Sequence, residues 1–200
     1  MSGDICGICC GTGREISVDC PLTCEYLQEG HRHEKVPAVD PATFPHGDIR
    51  VTEQFIQQNE MLVGFAGSAV FEGALEQPGV MDLDVRAALE ALVLAYRARA
   101  GGLVFDAQPA SPIAAAIAAK VEARFEGVRR QEMEEHGGDS TLRDEAVLRV
   151  VAFLQRLEIM NNNGRPKSKA FLDFLGRFAI APAESPIEQT VAQEAPLVIL

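Results

Sequence analysis

From residue 50 onward, apolar positions recur at helical spacing along most of the chain. Between Arg50 and Glu76, Phe55, Leu62, Phe65, Ala69 and Val70 fall near one face, while Gln57, Gln58, Asn59 and Glu60 lie largely elsewhere. This period predicts one amphipathic helix, ended by Pro78-Gly79. Its middle, Gly64 to Ala69, is narrow enough for another helix to approach closely. A second stripe, Leu89, Leu92, Val93 and Tyr96, predicts a helix over about 84–100, with Asp82 or Asp84 as N-cap and Gly101-Gly102 as terminator. The short apolar run Leu103-Val104-Phe105 suits an extended segment.

The clearest start signal is Ser111-Pro112, an N-cap followed by proline at the first helical position. The stripe Ile113, Ile117, Val121, Phe125 and Val128 carries that helix to about His136, where Gly137-Gly138 stops it. A fourth helix is expected from Ser140 or Thr141, with Val147, Val150, Val151, Leu154 and Leu157 buried and Asn161 to Gly164 closing it. A fifth, shorter one covers about 168–178. The fold expected is mainly α, a four- to five-helix bundle preceded by a small Cys-rich metal-binding knuckle.

That knuckle appears as a break in composition. All five cysteines precede Val36, and PAVDPATFPHG follows with three prolines that deny helix continuation. The expected organisation is a knuckle over 1–36, a linker over 37–48, a bundle over 49–179 and a mobile tail over 180–200. The tail has three prolines and little periodicity.

Composition agrees with a helical body. The 200 residues are 47% hydrophobic, without Trp and with two Tyr, so Ala and Leu carry the apolar content. The formal net charge of −11, from 18 basic and 29 acidic residues, lacks the clustered cations that displace counterions from a nucleic-acid backbone. Nucleic acid is therefore excluded as the expected partner. No signal peptide or membrane-length apolar run is visible, so the expected location is cytoplasmic, where clustered cysteines act as metal ligands before disulfides.

In CGICCGTGREISVDCPLTC, the residues Cys6, Cys9, Cys20 and Cys24 form C-x2-C and C-x3-C pairs separated by ten residues. Two close pairs on two turns supply the four thiolates that tetrahedral zinc takes in structural sites. Gly7, Gly11 and Gly13 allow tight turns, Arg14 to Val18 alternates like a short strand, and Pro21 can open a helical turn with Leu27 beneath it. Cys10 duplicates Cys9, and His31 is a possible substitute ligand. An iron–sulfur cluster would use the same thiolates, but the C-x2-C-x2-C run of bacterial ferredoxins is missing. A redox C-x2-C is weaker still, because the βαβ context of thioredoxin-like motifs is absent.

The segment CGICCGTGREISVDCPLTCEYL resembles the start of a group of uncharacterised bacterial proteins. These join a C-x2-C-C-G-T opening and a C-P-x-x-C-x-Y-L continuation to a long helical remainder. The stretch VAFLQRLEIMNNNGRPKSKAFLDFL extends the resemblance over most of the chain. It implies a metal-binding N-terminus and a helical body, and carries no known activity.

Other polar groups have blander readings. Glu132, Glu134, Glu135 and His136 lack the Glu-x-x-His spacing of di-metal carboxylate helices and suit a solvated helix end. Asn161 to Lys169, the local basic patch, could hold a phosphate at a helix start but is expected to be a solubilising loop. His31 and His33 are expected as exposed linker histidines. No phosphate loop, dinucleotide fingerprint or nucleophile elbow occurs. The expected function is thus a non-enzymatic interaction protein with a structural zinc site, its partner another protein or a second copy. The alternative is a metal- or thiol-dependent enzyme or redox sensor that uses the cysteine cluster.

Overall fold

A computed structural model describes residues 6–35, 38–103 and 107–179. Among these, the chain forms α1 (Gly7–Gly13), α2 (Glu25–His33), a 3-10 turn (Pro41–Thr43), α3 (Glu53–Gln58), α4 (Glu60–Leu75), α5 (Asp82–Ala100), α6 (Pro112–His136), α7 (Asp144–Asn161) and α8 (Ala170–Ala179). The class is mainly α, with no strand among the described residues. Among the described residues, no helix is long and apolar enough to cross a membrane. The tail expected over 180–200 and most of the Leu103 to Phe105 run lie outside the described residues.

The bundle is α4 to α8. Helix α5 packs along α7 and α6, while α4 packs against α6, α8 and α7. Tyr96, Phe125, Phe171, Leu89 and Ile117 fill the interior, fully or almost fully buried. The rings of Tyr96 and Phe125 meet edge-on, with centroids 6.0 Å apart. The expected close approach on α4 is real but sits one turn further on. A Cβ at Gly73 would lie 3.1 Å from Lys120 Cβ and 3.4 Å from Ile117 Cα of α6, whereas Gly64 faces open space.

Several expected boundaries move, each for a local polar reason. The helix expected over 50–76 is two helices, because the Asn59 Nδ2 donates to the Phe55 carbonyl (2.8 Å) and competes with the backbone ladder. Thr52 caps the first piece, accepting from the Phe55 amide. Helix α5 starts under Met81, whose amide donates to Asp84. Asp82 instead serves another helix: its carboxylate accepts from the amides of Phe171 (3.0 Å) and Leu172 (3.2 Å) at the start of α8, and from the Ser168 hydroxyl (2.6 Å).

Ser111 caps α6 as expected, and Gly137 ends it at φ 66°. Ser140 and Thr141 do not cap α7. Both hydroxyls donate to Glu132, which thereby braces the α6–α7 turn, and Arg143 precedes the first turn of α7. Residues 40–49 are held to the bundle: His46 pairs with Glu90 at 3.0 Å, and the Arg156 guanidinium donates to the Ile49 carbonyl at 2.7 Å.

The short strand expected over Arg14 to Val18 does not form. The Gly13 carbonyl accepts from the amides of Ile16, Ser17 and Val18, closing a tight turn with one isolated bridge between Arg14 and Val18. An alternating pattern needs a partner strand, and the segment has none. The expected glycine-rich turns are also absent, since residues 7–13 are the helix α1. Cys6 is its N-cap, and the Thr12 hydroxyl donates to the Ile8 carbonyl.

The cysteine knuckle and its dock

Residues 6–35 enclose almost no apolar core. Helix α1 buries nothing; in α2 the one buried apolar residue is Leu27, fully, and Cys20 and Glu15 are buried outside these helices. Ile8, Ile16 and Tyr26 are exposed. Polar contacts and Leu22 join the segment to the bundle.

The thiols form two groups. Cys6 and Cys9 are exposed on the first turn of α1, where Cys6 Sγ accepts from the Cys9 amide at 3.3 Å. Side-chain and backbone hydrogen bonds with Cys9 hold the Cys6 thiol below its ordinary value, and the side-chain bond with Cys6 pushes the Cys9 thiol up. Cys20 is buried, with Cys10 and Cys24 half-buried near it. Burial pushes the Cys20 thiol up, the Glu15 amide works to lower it, and the charges of Cys24 and Cys10 raise it further. Of the duplicated pair, Cys10 is therefore the one that Cys20 senses. All five thiols are free.

Among the described residues, the atoms that come within 4.8 Å of one another as a potential ligand set are those of Glu15, His31 and Glu34. Among the described residues no three thiols come within 4.8 Å of one another, whereas Zn–S bonds of about 2.3 Å bring the sulfurs of a tetrahedron to roughly 3.8 Å. The donor chemistry nonetheless fits zinc: Cys20 and Cys24 come from one turn and three thiols from α1, which no core packing holds in place. The carboxylate–histidine set fits an ion less well. Arg165 spans both glutamates, at 3.2 Å from Glu15 and 2.5 Å from Glu34, and already supplies the cation.

Glu15 is the centre of the dock, and the spacing of the cysteines gave no hint of it. Its φ of 57° is a left-handed conformation that costs a non-glycine residue about 1–2 kcal/mol and persists only where the surroundings enforce it. The side chain is fully buried. Its carboxylate accepts from the Lys169 amide (2.6 Å), Asn163 Nδ2 (2.8 Å) and Arg165, while its own carbonyl accepts from the Lys167 amide (2.8 Å). Burial works to raise the Glu15 carboxyl, but His31, the Lys169 amide and Asn163 outweigh it and hold the group down at about 2.

Two expectations are corrected here. The basic patch from Asn161 to Lys169 is neither a solvated loop nor a phosphate cradle: Asn163, Arg165, Lys167 and Lys169 all bind the knuckle. The Lys167 ammonium donates to the Ser17 carbonyl (2.7 Å), and that of Lys169 pairs with Asp19 (2.6 Å). His31 is neither an exposed linker histidine nor turned toward the thiols. Its side chain is 3% exposed, with Nδ1 at 3.2 Å from Asp173 of α8 and Nε2 at 3.0 Å from Glu15. His33 is exposed and pairs with Glu29.

No protein family, curated protein or solved structure matches the chain.

Proposed function

We propose that residues 6–35 form a zinc-held knuckle that, docked on the bundle, presents a binding surface to a protein partner or a second copy of the chain. Cys20 and Cys24 supply two thiolates, and two of Cys6, Cys9 and Cys10 supply the others. The observation that carries this reading is five free thiols gathered in a segment with Leu27 as its one fully buried apolar side chain. Such a segment gains its folding free energy from an ion, because four thiolate bonds replace the core it lacks. The resemblance of its C-x2-C-C-G-T opening to other Cys-rich N-termini points the same way.

The binding role rests on exposed apolar surface at two places. Ile8 and Tyr26 are 81% and 78% exposed on the knuckle. On the bundle, a groove of about 350 Å³ lies between α4, α7 and α8, lined by Val63, Gly67, Leu157, Phe174 and Phe178. Apolar grooves between helices are common sites for protein and ligand contact. Sedimentation of the zinc-loaded protein tests self-association: concentration-dependent dimers weakened by Phe178→Glu and Tyr26→Ala support a second copy. A monomer at all concentrations leaves a different protein as the partner.

A second reading has one observation in its favour. Cys6 caps α1 with its exposed thiol accepting a hydrogen bond from Cys9, an arrangement that activates a thiolate. If this pair is redox-active, the metal-free protein oxidised by glutathione disulfide forms a Cys6–Cys9 disulfide and releases two glutathione thiols. Peptide mapping after alkylation distinguishes that product from a knuckle that resists oxidation while zinc is bound.

A further inference from the structure

Beside the apolar contact of Leu22 with the core, polar contacts join the knuckle to the bundle, and one of them is titratable near neutral pH. His31 stands near the end of α2, with its ring between Glu15 of the 13–18 turn and Asp173 of α8. Every charged group facing this ring can be assigned. Glu15 and Glu34 belong to the knuckle and Asp173 to α8. Arg165 reaches in from the α7–α8 loop to both glutamates, and Arg177 of α8 pairs with Asp173 at 2.7 Å. Lys169 sends its ammonium to Asp19 and only its amide to Glu15. Asn163 and Asn161 complete the surround as neutral groups.

The charges balance only in one state of the ring. Glu15, Glu34 and Asp173 bring three negative charges, while Arg165 and Arg177 bring two positive ones. A protonated His31 supplies the third, its Nδ1 donating to Asp173 while Nε2, which makes no hydrogen bond, stands as an ion-pair partner 3.0 Å from Glu15. A neutral ring has one proton for two acceptors. It therefore sets a nitrogen lone pair against a carboxylate oxygen about 3 Å away in a buried site, where unbalanced charge is costly.

We propose that His31 is a proton-operated latch: protonated, it ties α2 and the Glu15 turn to α8, and its deprotonation releases the knuckle from the bundle. The latch joins elements 142 residues apart in sequence, and it lies outside the thiol cluster. Burial works to lower the His31 pKa, but Glu15 and then Asp173 raise it above the ordinary histidine value. By linkage, a group whose pKa is raised on docking stabilises the docked state fully below its free value, about 6.5, and that contribution disappears as pH rises through the docked value. Release is therefore expected on the alkaline side of neutrality.

The test uses the full chain. Ring-proton NMR titration follows the four histidines from pH 5.5 to 9.5, with His31 assigned from His31→Gln, and amide exchange protection in α2 is measured across the same range. The expected results are a His31 midpoint above the ordinary value and a loss of α2 protection centred on that midpoint. Asp173→Asn is expected to shift both downward together, and His31→Gln to abolish the pH dependence. Zinc content measured alongside separates undocking from failure of the metal site. A His31 midpoint at or below the ordinary value, or α2 protection that is independent of pH in the wild-type protein, overturns the latch.

Discussion

The carboxylate of Glu15 lies 2.6 Å from the backbone amide of Lys169, a bond that spans 154 residues and is buried at both ends. It ties the turn after α1 to the loop entering α8, and Arg165 and Asn163 converge on the same carboxylate. Glu15→Ala leaves these donors without an acceptor, and breaking a buried ion pair costs about 3–5 kcal/mol. Because Arg165 can reach water, the lower end, about 3 kcal/mol, is expected in urea denaturation. Glu15→Gln, which retains one acceptor, is expected to cost less. With the Glu15 carboxyl held at about 2, its contribution is present above the ordinary value of 4.5 and is lost as pH falls through about 2.

Asp82 behaves in the opposite sense. Burial pushes its carboxyl up to about 6, against the pull of Ser168 and the amides of Phe171 and Leu172. A raised carboxyl favours the folded state below its free value, 3.8, and loses that advantage as pH climbs through about 6. Asp82→Asn is expected to remove this loss between pH 4 and 6 in thermal melts. Asp82→Ala is expected to destabilise the start of α8 at every pH, by about 1–3 kcal/mol for the donors left unpaired. Equal pH profiles for the wild-type protein and Asp82→Asn would contradict the assignment.

How much was legible follows from which forces leave a local pattern. The stripes of α5, α6 and α7 repeat every three or four residues, so Leu89, Ile117 and Val151 could be placed in the core from the chain alone, as they are found. Helix starts failed where a side chain serves a distant element. Of the two aspartates expected to cap α5, Asp84 takes the Met81 amide while Asp82 receives α8, and Ser140 and Thr141, either of which is expected to start α7, bind Glu132 instead. Glu15 leaves no signal, and His31 and the basic patch that holds Arg165 are visible without their meeting point, since three polar residues separated by 16 and 134 positions form no periodic pattern. The positive φ of Glu15 cannot be read from a residue type that seldom adopts it.

The close approach of α4 to α6 gives a packing prediction. A Cβ at Gly73 already meets the stem of Lys120 and the backbone of Ile117. Gly73→Ala requires a shift of a few tenths of an ångström, and Gly73→Leu forces the helices apart. A cost of about 1–3 kcal/mol is expected for the leucine variant, as for other overpacked cores, against little change for the same substitution at the open Gly64. Thermal denaturation of both variants measures the difference.

The duplicated cysteines offer a prediction about ligand choice. The C-x2-C spacing favours Cys9, whereas Cys10 is the half-buried one that Cys20 senses. If zinc draws on Cys10, Cys10→Ser is expected to weaken zinc affinity strongly and Cys9→Ser or Cys6→Ser, but not both, to be tolerated. Cys20→Ser and Cys24→Ser are expected to abolish binding, because oxygen is a poorer partner than thiolate in such a site. Competition titration with a chromophoric chelator ranks the five single variants. Equal tolerance of all five is incompatible with a four-thiolate site.

The most direct measurement is the metal content of the full-length protein purified under reducing conditions, read by elemental analysis together with the exchange protection of α1 and α2. A single four-ligand structural site predicts about one zinc per chain. It also predicts that a chelator which removes the zinc melts α1, with its absence of buried residues, while the bundle helices stay protected. Stoichiometric iron with visible absorption, or a metal-free protein in which α1 remains protected, would contradict a zinc-held knuckle.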